Sequence, residues 1–222
     1  MITKLKVLGS AFVVLCAVIS AAAAPALAKR VHDFEAKSSP YIVTGEQRAS
    51  EPIVWEIGKE HLPLECSVNM FNHTETANPT QSLTVEPTHE KCNFNGTPVT
   101  VDTAGCRYTF TGETDEVGHS PIHVECNAGT SIRVTVSGCT IEVGEQTPKG
   151  GVHYTNTPES GDFDAKVTAE NIKYTLTGLA CTLIGGNGSD LMMHGSYTVQ
   201  AYEDNEKTEG KRINFSTKET VE

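Results

Sequence analysis

This sequence predicts an all-β fold: an antiparallel β-sandwich or barrel-like domain of many short strands, braced by three disulfides. Three observations carry that expectation. Short runs of apolar residues alternate with polar ones at a period of two, which places each run on one face of a half-buried strand. Turn-forming Gly, Asn, Asp and Pro separate those runs, and no stretch keeps a helical period. Six cysteines (Cys66, Cys92, Cys106, Cys126, Cys139 and Cys181) follow an export signal, an even count that reads as disulfides.

The chain opens with Lys4 and Lys6, an apolar run from Val7 to Ala24, and Ala26-Leu27-Ala28 before Lys29. A basic start, an apolar centre and an A-x-A site describe a secretory signal peptide over residues 1–28. An uncleaved anchor is the alternative; the run is short, Ala-rich and directly followed by a cleavage pattern. Cys16 follows Leu15, where lipoprotein processing needs a small residue, so Cys16 is expected to leave with the signal.

Residues 29–50 are polar, with an apolar patch at Tyr41-Ile42-Val43, and are expected to be a partly ordered N-terminal segment. The all-β domain is expected over 51–202. Pro52–Ile57 reads as a strand around Trp55, the only tryptophan. Leu62, Leu64, Cys66, Val68 and Met70 alternate with polar residues and make the longest clean strand, with Pro63 at an edge or ahead of the pairing. Phe71–Gln81 reads as a polar loop, Ser82–Glu86 as a strand, Lys91–Asn95 as a run around Cys92, and Gly96 as a turn.

The densest signal lies between Gly105 and Val143. Setting Cys106 opposite Cys126 in an antiparallel hairpin pairs Tyr108 with Val124, Phe110 with Ile122, Arg107 with Glu125 and Thr109 with His123. One register satisfies the apolar pairs, the charge pair and the cysteines; a one-residue slip would mix the faces. Such cross-strand pairs each contribute about 0.2–1 kcal/mol. The register predicts a Cys106–Cys126 bridge, and sequential pairing adds Cys66–Cys92 and Cys139–Cys181. Asn127–Thr130 supplies a turn, and Ile132, Val134 and Val136 alternate next. Val136 and Cys139 are three apart across Gly138, which predicts a bulge or bend before Ile141 and Val143 resume the pattern.

Beyond the loop Gly144–Gly151, alternation returns at Val152/Tyr154, Ala165/Val167/Ala169, Ile172/Tyr174/Leu176 and Met193–Tyr202, with Ile184–Asp190 as a turn or flexible segment. Residues 203–222 read as a charged C-terminal tail with an edge strand at Ile213 and Phe215. The strand after a cysteine near glycine recurs as GCRYTF, GCTIEV and GLACTLI, at irregular intervals that define no repeat.

The net charge is −11, and removing the two signal lysines takes it to −13. That balance gives no electrostatic case for nucleic acid or an anionic membrane surface. After signal cleavage no apolar run spans a bilayer and no apolar C-terminal tail remains, so a released extracellular protein is expected.

Candidate chemistry is sparse. Gly118-His119-Ser120-Pro121-Ile122 imitates a nucleophile elbow, but Ile stands where Gly is required and Pro121 opposes the helix that must follow the serine. His119 and His123 share the spacing of a helical metal motif in a segment that Pro121 keeps from being helical. Asp162/Asp164 and Glu203/Asp204/Glu206 offer oxygen ligands without an EF-hand pattern. No C-x-x-C spacing supports zinc. A glycosidase needs two acids about 5–10 Å apart; among 28 acids the sequence singles out no pair. Trp55 is a sugar platform only if exposed, and a core position is the expectation. Asn72, Asn95, Asn187 and Asn214 match a glycosylation pattern that acts only in a eukaryotic secretory pathway. The expectation is therefore no catalytic, metal or cofactor-binding residue, and no cofactor.

The run GC-x-Y-x-F, I-x-V-x-C and GC-x-I-x-V, followed by VHYTN, resembles uncharacterised secreted, β-rich, disulfide-containing proteins of actinobacteria, over roughly residues 60–185. The resemblance implies no activity and transfers no functional residue. The functional expectation is a secreted, non-catalytic binding or structural β-domain whose extracellular ligand or protein partner the sequence does not name. The alternative is an extracellular hydrolase, acting on polysaccharide with unidentified carboxylates. A third option, a protease inhibitor, would use Thr111–Pro121 as its exposed loop.

Overall fold

The computed structural model describes residues 30–103, 105–115, 118–157, 159–183, 185–203 and 212–221. The predicted signal peptide, Asp204 and Glu206 lie outside them. Apart from one 3₁₀ turn at Leu179–Leu183, the regular structure is β-strand. In chain order the strands are β1 (Arg30–Ala36), β2 (Tyr41–Gln47), β3 (Val54–Ile57), β4 (Leu62–Glu75), β5 (Ser82–Phe94), β6 (Thr97–Asp102), β7 (Cys106–Thr111) and β8 (Ile122–Cys126). They continue as β9 (Ile132–Val136), β10 (Cys139–Val143), β11 (Lys149–Thr157), β12 (Asp162–Thr177), β13 (Gly188–Glu203), β14 (Arg212–Ile213) and β15 (Phe215–Val221). No helix among the described residues is long and apolar enough to cross a membrane.

The ladders are antiparallel and close on themselves twice. One ring runs β3–β4–β5–β6–β9–β10–β12–β13 and returns to β3. The other runs β2–β4–β5–β7–β8, crosses to β11 through the Ser120–Val152 bridge, and returns through β12 and β13 to β2. Four long strands, β4, β5, β12 and β13, belong to both rings. Closure removes the open edges that a flat sheet would present.

Each ring encloses its own part of one continuous buried cluster, called its core here. The first holds Trp55, Ile57, Leu64, Ile132, Val134 and Ile141; the second holds Phe71, Leu83, Phe110, Tyr154, Phe163 and Val199. The β1–β15 ribbon covers the second core. Phe34 packs edge-on against Tyr154 at 5.2 Å, and Phe215 lies 5.2 Å from Phe163.

The predicted hairpin register is present residue for residue, Cys106 opposite Cys126 through Phe110 opposite Ile122. The bridges are Cys66–Cys92, Cys106–Cys126 and Cys139–Cys181. Four local expectations are corrected. Residues 30–36 and 41–47, read as mostly irregular, are strands, because β1 finds its partner at the far end of the chain in β15. Phe71–Gln81 is not all loop: β4 continues to Glu75 against β2. The two runs read at Ser82–Glu86 and Lys91–Asn95 are one strand, β5. Gly138 makes no bulge: Ser137 (φ 37°) and Gly138 (φ 84°) form a two-residue hairpin turn that pairs Val136 with Cys139. Positive φ at both central positions matches the right-handed twist of the flanking strands, which explains the break in parity.

Candidate functional site

The shared strands change rings at a waist where the apolar alternation stops. Lys91 (φ 51°) bends β5 there and Asn171 (φ 56°) bends β12. On β13, Gly195 adopts φ 139°, and a Cβ at that position would stand 2.4 Å from the Pro52 carbonyl oxygen.

Polar side chains from four strands meet at this waist. Gln47, at the end of β2, accepts from the Ile53 N–H (3.1 Å) and from Asn69 Nδ2 (2.8 Å). Its own Nε2 donates to the carbonyls of Cys66 (3.0 Å) and Ser67 (2.9 Å). The Asn69 Oδ1 lies 2.5 Å from His89 Nδ1, and His89 Nε2 lies 3.3 Å from the Tyr108 hydroxyl. An amide oxygen only accepts, so His89 carries its proton on Nδ1, and Nε2 accepts from Tyr108. The indole of Trp55 stands edge-on to the imidazole at 5.9 Å. Burial lowers the His89 pKa to about 4, so the ring is neutral at physiological pH. Burial likewise raises the phenols of Tyr108 and Tyr197 above their ordinary value. Sequence reading did not find this network. Its members come from four separate strands, and only Tyr108 carried a core signal.

The sequence-derived candidates are dispersed. Ser120 is fully buried and pairs through its backbone with Val152, so its hydroxyl meets no solvent. His123 Nδ1 lies 2.7 Å from the Thr147 hydroxyl, whereas His119 Nδ1 stands 3.9 Å from Asp115. Asp162 holds the Arg212 guanidinium, and Asp164 accepts from Arg48 (2.5 Å) and Thr198 (3.3 Å). Those two carboxylates are thus committed to separate partners. Among the described residues, no group of three His, Cys, Asp or Glu side chains is arranged to hold a metal ion. Trp55 is buried in the first core. Around Thr111–Pro121 the loop's base is stitched to the body: His32 N–H donates to the Gly112 carbonyl and Thr114 N–H to that of Arg30.

Neither core leaves room for a ligand; each holds a void of about 10 Å³. Open space lies on the exterior. A groove of about 500 Å³ runs past Glu145, Asn171, Lys173 and Thr175. One of about 450 Å³ is bounded by Lys59, Glu60, Asn187 and Asp190. Tyr174 of β12 borders both, and its hydroxyl donates to Asp190 Oδ1 (2.9 Å). Burial and the adjacent Asp190 push its pKa up to about 12. A third groove of about 300 Å³ lies between Glu86, Arg107 and Asn127, beside Cys106.

No protein-family model, curated protein or solved structure matches this chain.

Proposed function

We propose that this chain is an exported, non-catalytic β-domain that acts by binding at its exterior or as a structural component outside the cell. The observation that carries the reading is the filling of both barrel interiors, which leaves about 10 Å³ in each. Small eight-strand barrels either hold a ligand inside or fill with side chains, and this chain does the second. Recognition is thereby left to the outer surface, where hydroxyl, amide and charged groups line the two grooves beside Tyr174. Such groups suit a polyhydroxylated or peptidic ligand that exchanges hydrogen bonds with water at little net cost. Three disulfides in a chain with a signal-like start support export.

The test has two parts. Peptide sequencing of protein recovered from the culture medium is expected to begin at Lys29; retention in the cell with residues 1–28 intact overturns export. The secreted protein is then mixed with the insoluble cell envelope of its host and with soluble polysaccharides. Co-sedimentation that weakens in Asn171→Ala/Lys173→Ala, with no release of reducing ends, is the expected result. Release of reducing ends that disappears on a carboxylate-to-amide substitution overturns the reading in favour of a hydrolase.

A further inference from the structure

The three disulfides are not equally guarded. Cys66, Cys92, Cys106, Cys139 and Cys181 are buried, while Cys126 is partly exposed. Cys126 ends β8 and passes into the turn Asn127–Thr130, whose residues are all exposed. Its partner Cys106 borders the open groove of about 300 Å³, together with Arg107, Glu86 and Asn127. The other two bridges lack this combination: Cys66–Cys92 joins buried positions on β4 and β5, and Cys139–Cys181 ties the start of β10 to the 3₁₀ turn through two buried sulfurs.

The geometry points to Cys106–Cys126 as a site of reversible thiol–disulfide exchange with a dithiol partner, approached from the side of the exposed turn Asn127–Thr130 into which Cys126 leads. The partner's thiolate attacks the sulfur of Cys126, the more exposed of the two, forms a mixed disulfide and expels Cys106 as a thiolate. The partner's second thiol then attacks the mixed disulfide, releasing Cys126 as a thiolate and leaving the partner oxidised. Two electrons pass to this chain, and the two thiolates take up two protons. Exchange depends on access to the attacked sulfur, and Cys126 is the most accessible of the six. Arg107 follows Cys106 on β7, and strand alternation turns its side chain to the outer face opposite Glu125, so access to Cys126 and not a neighbouring cation sets this bridge apart. The reduced hairpin keeps its five-pair ladder from Cys106–Cys126 to Phe110–Ile122, so exchange does not require unfolding.

The test uses the full secreted protein and dithiothreitol as the dithiol. Samples quenched with iodoacetamide over time are mapped by peptide mass spectrometry while circular dichroism follows the fold. Cys106 and Cys126 are expected to be alkylated first, about tenfold faster than the other four, with native dichroism retained. Simultaneous loss of all three bridges on unfolding, or another bridge opening first, overturns the assignment.

Discussion

At the scale of single residues, side-chain amides stand in for missing strands. Gln146 accepts from the Lys173 N–H (2.7 Å) and donates to the Lys173 carbonyl (3.0 Å), while its own backbone pairs with Val124. Asn156 does the same for Thr217 (2.8 and 2.6 Å), and Asn78 for Ala36 (3.0 and 2.8 Å). Each closes a seam where two ladders fail to meet. Asn156→Ala removes both backbone contacts to Thr217, and with them the Thr217 hydroxyl's bond to Asn156 Oδ1, and is expected to cost about 1–3 kcal/mol, read from chemical denaturation. His89 sets a second expectation. Its folded pKa of about 4 lies below the ordinary 6.5, so the unfolded chain binds the proton more readily. Stability from the neutral ring is complete above pH 6.5 and falls as pH drops toward 4, by about 3 kcal/mol in all. Urea melts of wild type and His89→Gln across pH 7.5 to 4 check it: the gap between the two pH profiles should track that window, and parallel profiles refute it.

At the scale of elements, legibility followed the range of the pairing. The β7–β8 register could be read because both strands are short, adjacent in sequence and alternate cleanly. The long strands were read in pieces. Where β5 passes from one core to the other it presents His89, Glu90 and Lys91, and β12 presents Glu170 and Asn171, so apolar alternation is interrupted inside a continuous strand. The β1–β15 pair was not readable at all, because its partners lie at opposite ends of the chain and local pattern carries no information about distant pairing. The waist network was hidden for the same reason: Gln47, Asn69 and His89 each look like outward-facing polar residues until four strands converge. The turns give the sharper prediction. Ser137 already holds φ 37° ahead of Gly138, a position that asparagine tolerates better than serine. Ser137→Asn is expected to raise stability by about 0.5 kcal/mol. Gly195→Ala is expected to lower it by at least about 2 kcal/mol, because the methyl group meets both an unfavourable φ and the Pro52 carbonyl. Thermal melts of the two variants should move in opposite directions.

At the scale of the whole molecule, two filled cores share four strands, and that sharing decides how the protein unfolds. Separate domains joined by a linker melt independently, because few contacts cross the boundary. Here β4 pairs with β5 in unbroken register from Leu64–Phe94 in one core to Asn72–Glu86 in the other. β12 and β13 are likewise paired on both sides of the waist. Neither ring can open without losing ladder from its neighbour, so a single cooperative transition is expected. Two intrinsic probes weight the rings differently: Trp55, the only tryptophan, lies in the first core, while Tyr108, Tyr154 and Tyr197 surround the second, with Tyr174 on the first side. Denaturant titrations followed by tryptophan fluorescence and by the near-ultraviolet tyrosine signal should give superimposable curves, with calorimetric and van't Hoff enthalpies equal. Gly195→Ala, which loosens the waist itself, should shift both curves together. A tryptophan transition that separates from the tyrosine transition would mean that the four shared strands do not couple the cores and that the waist is a hinge between two folding units.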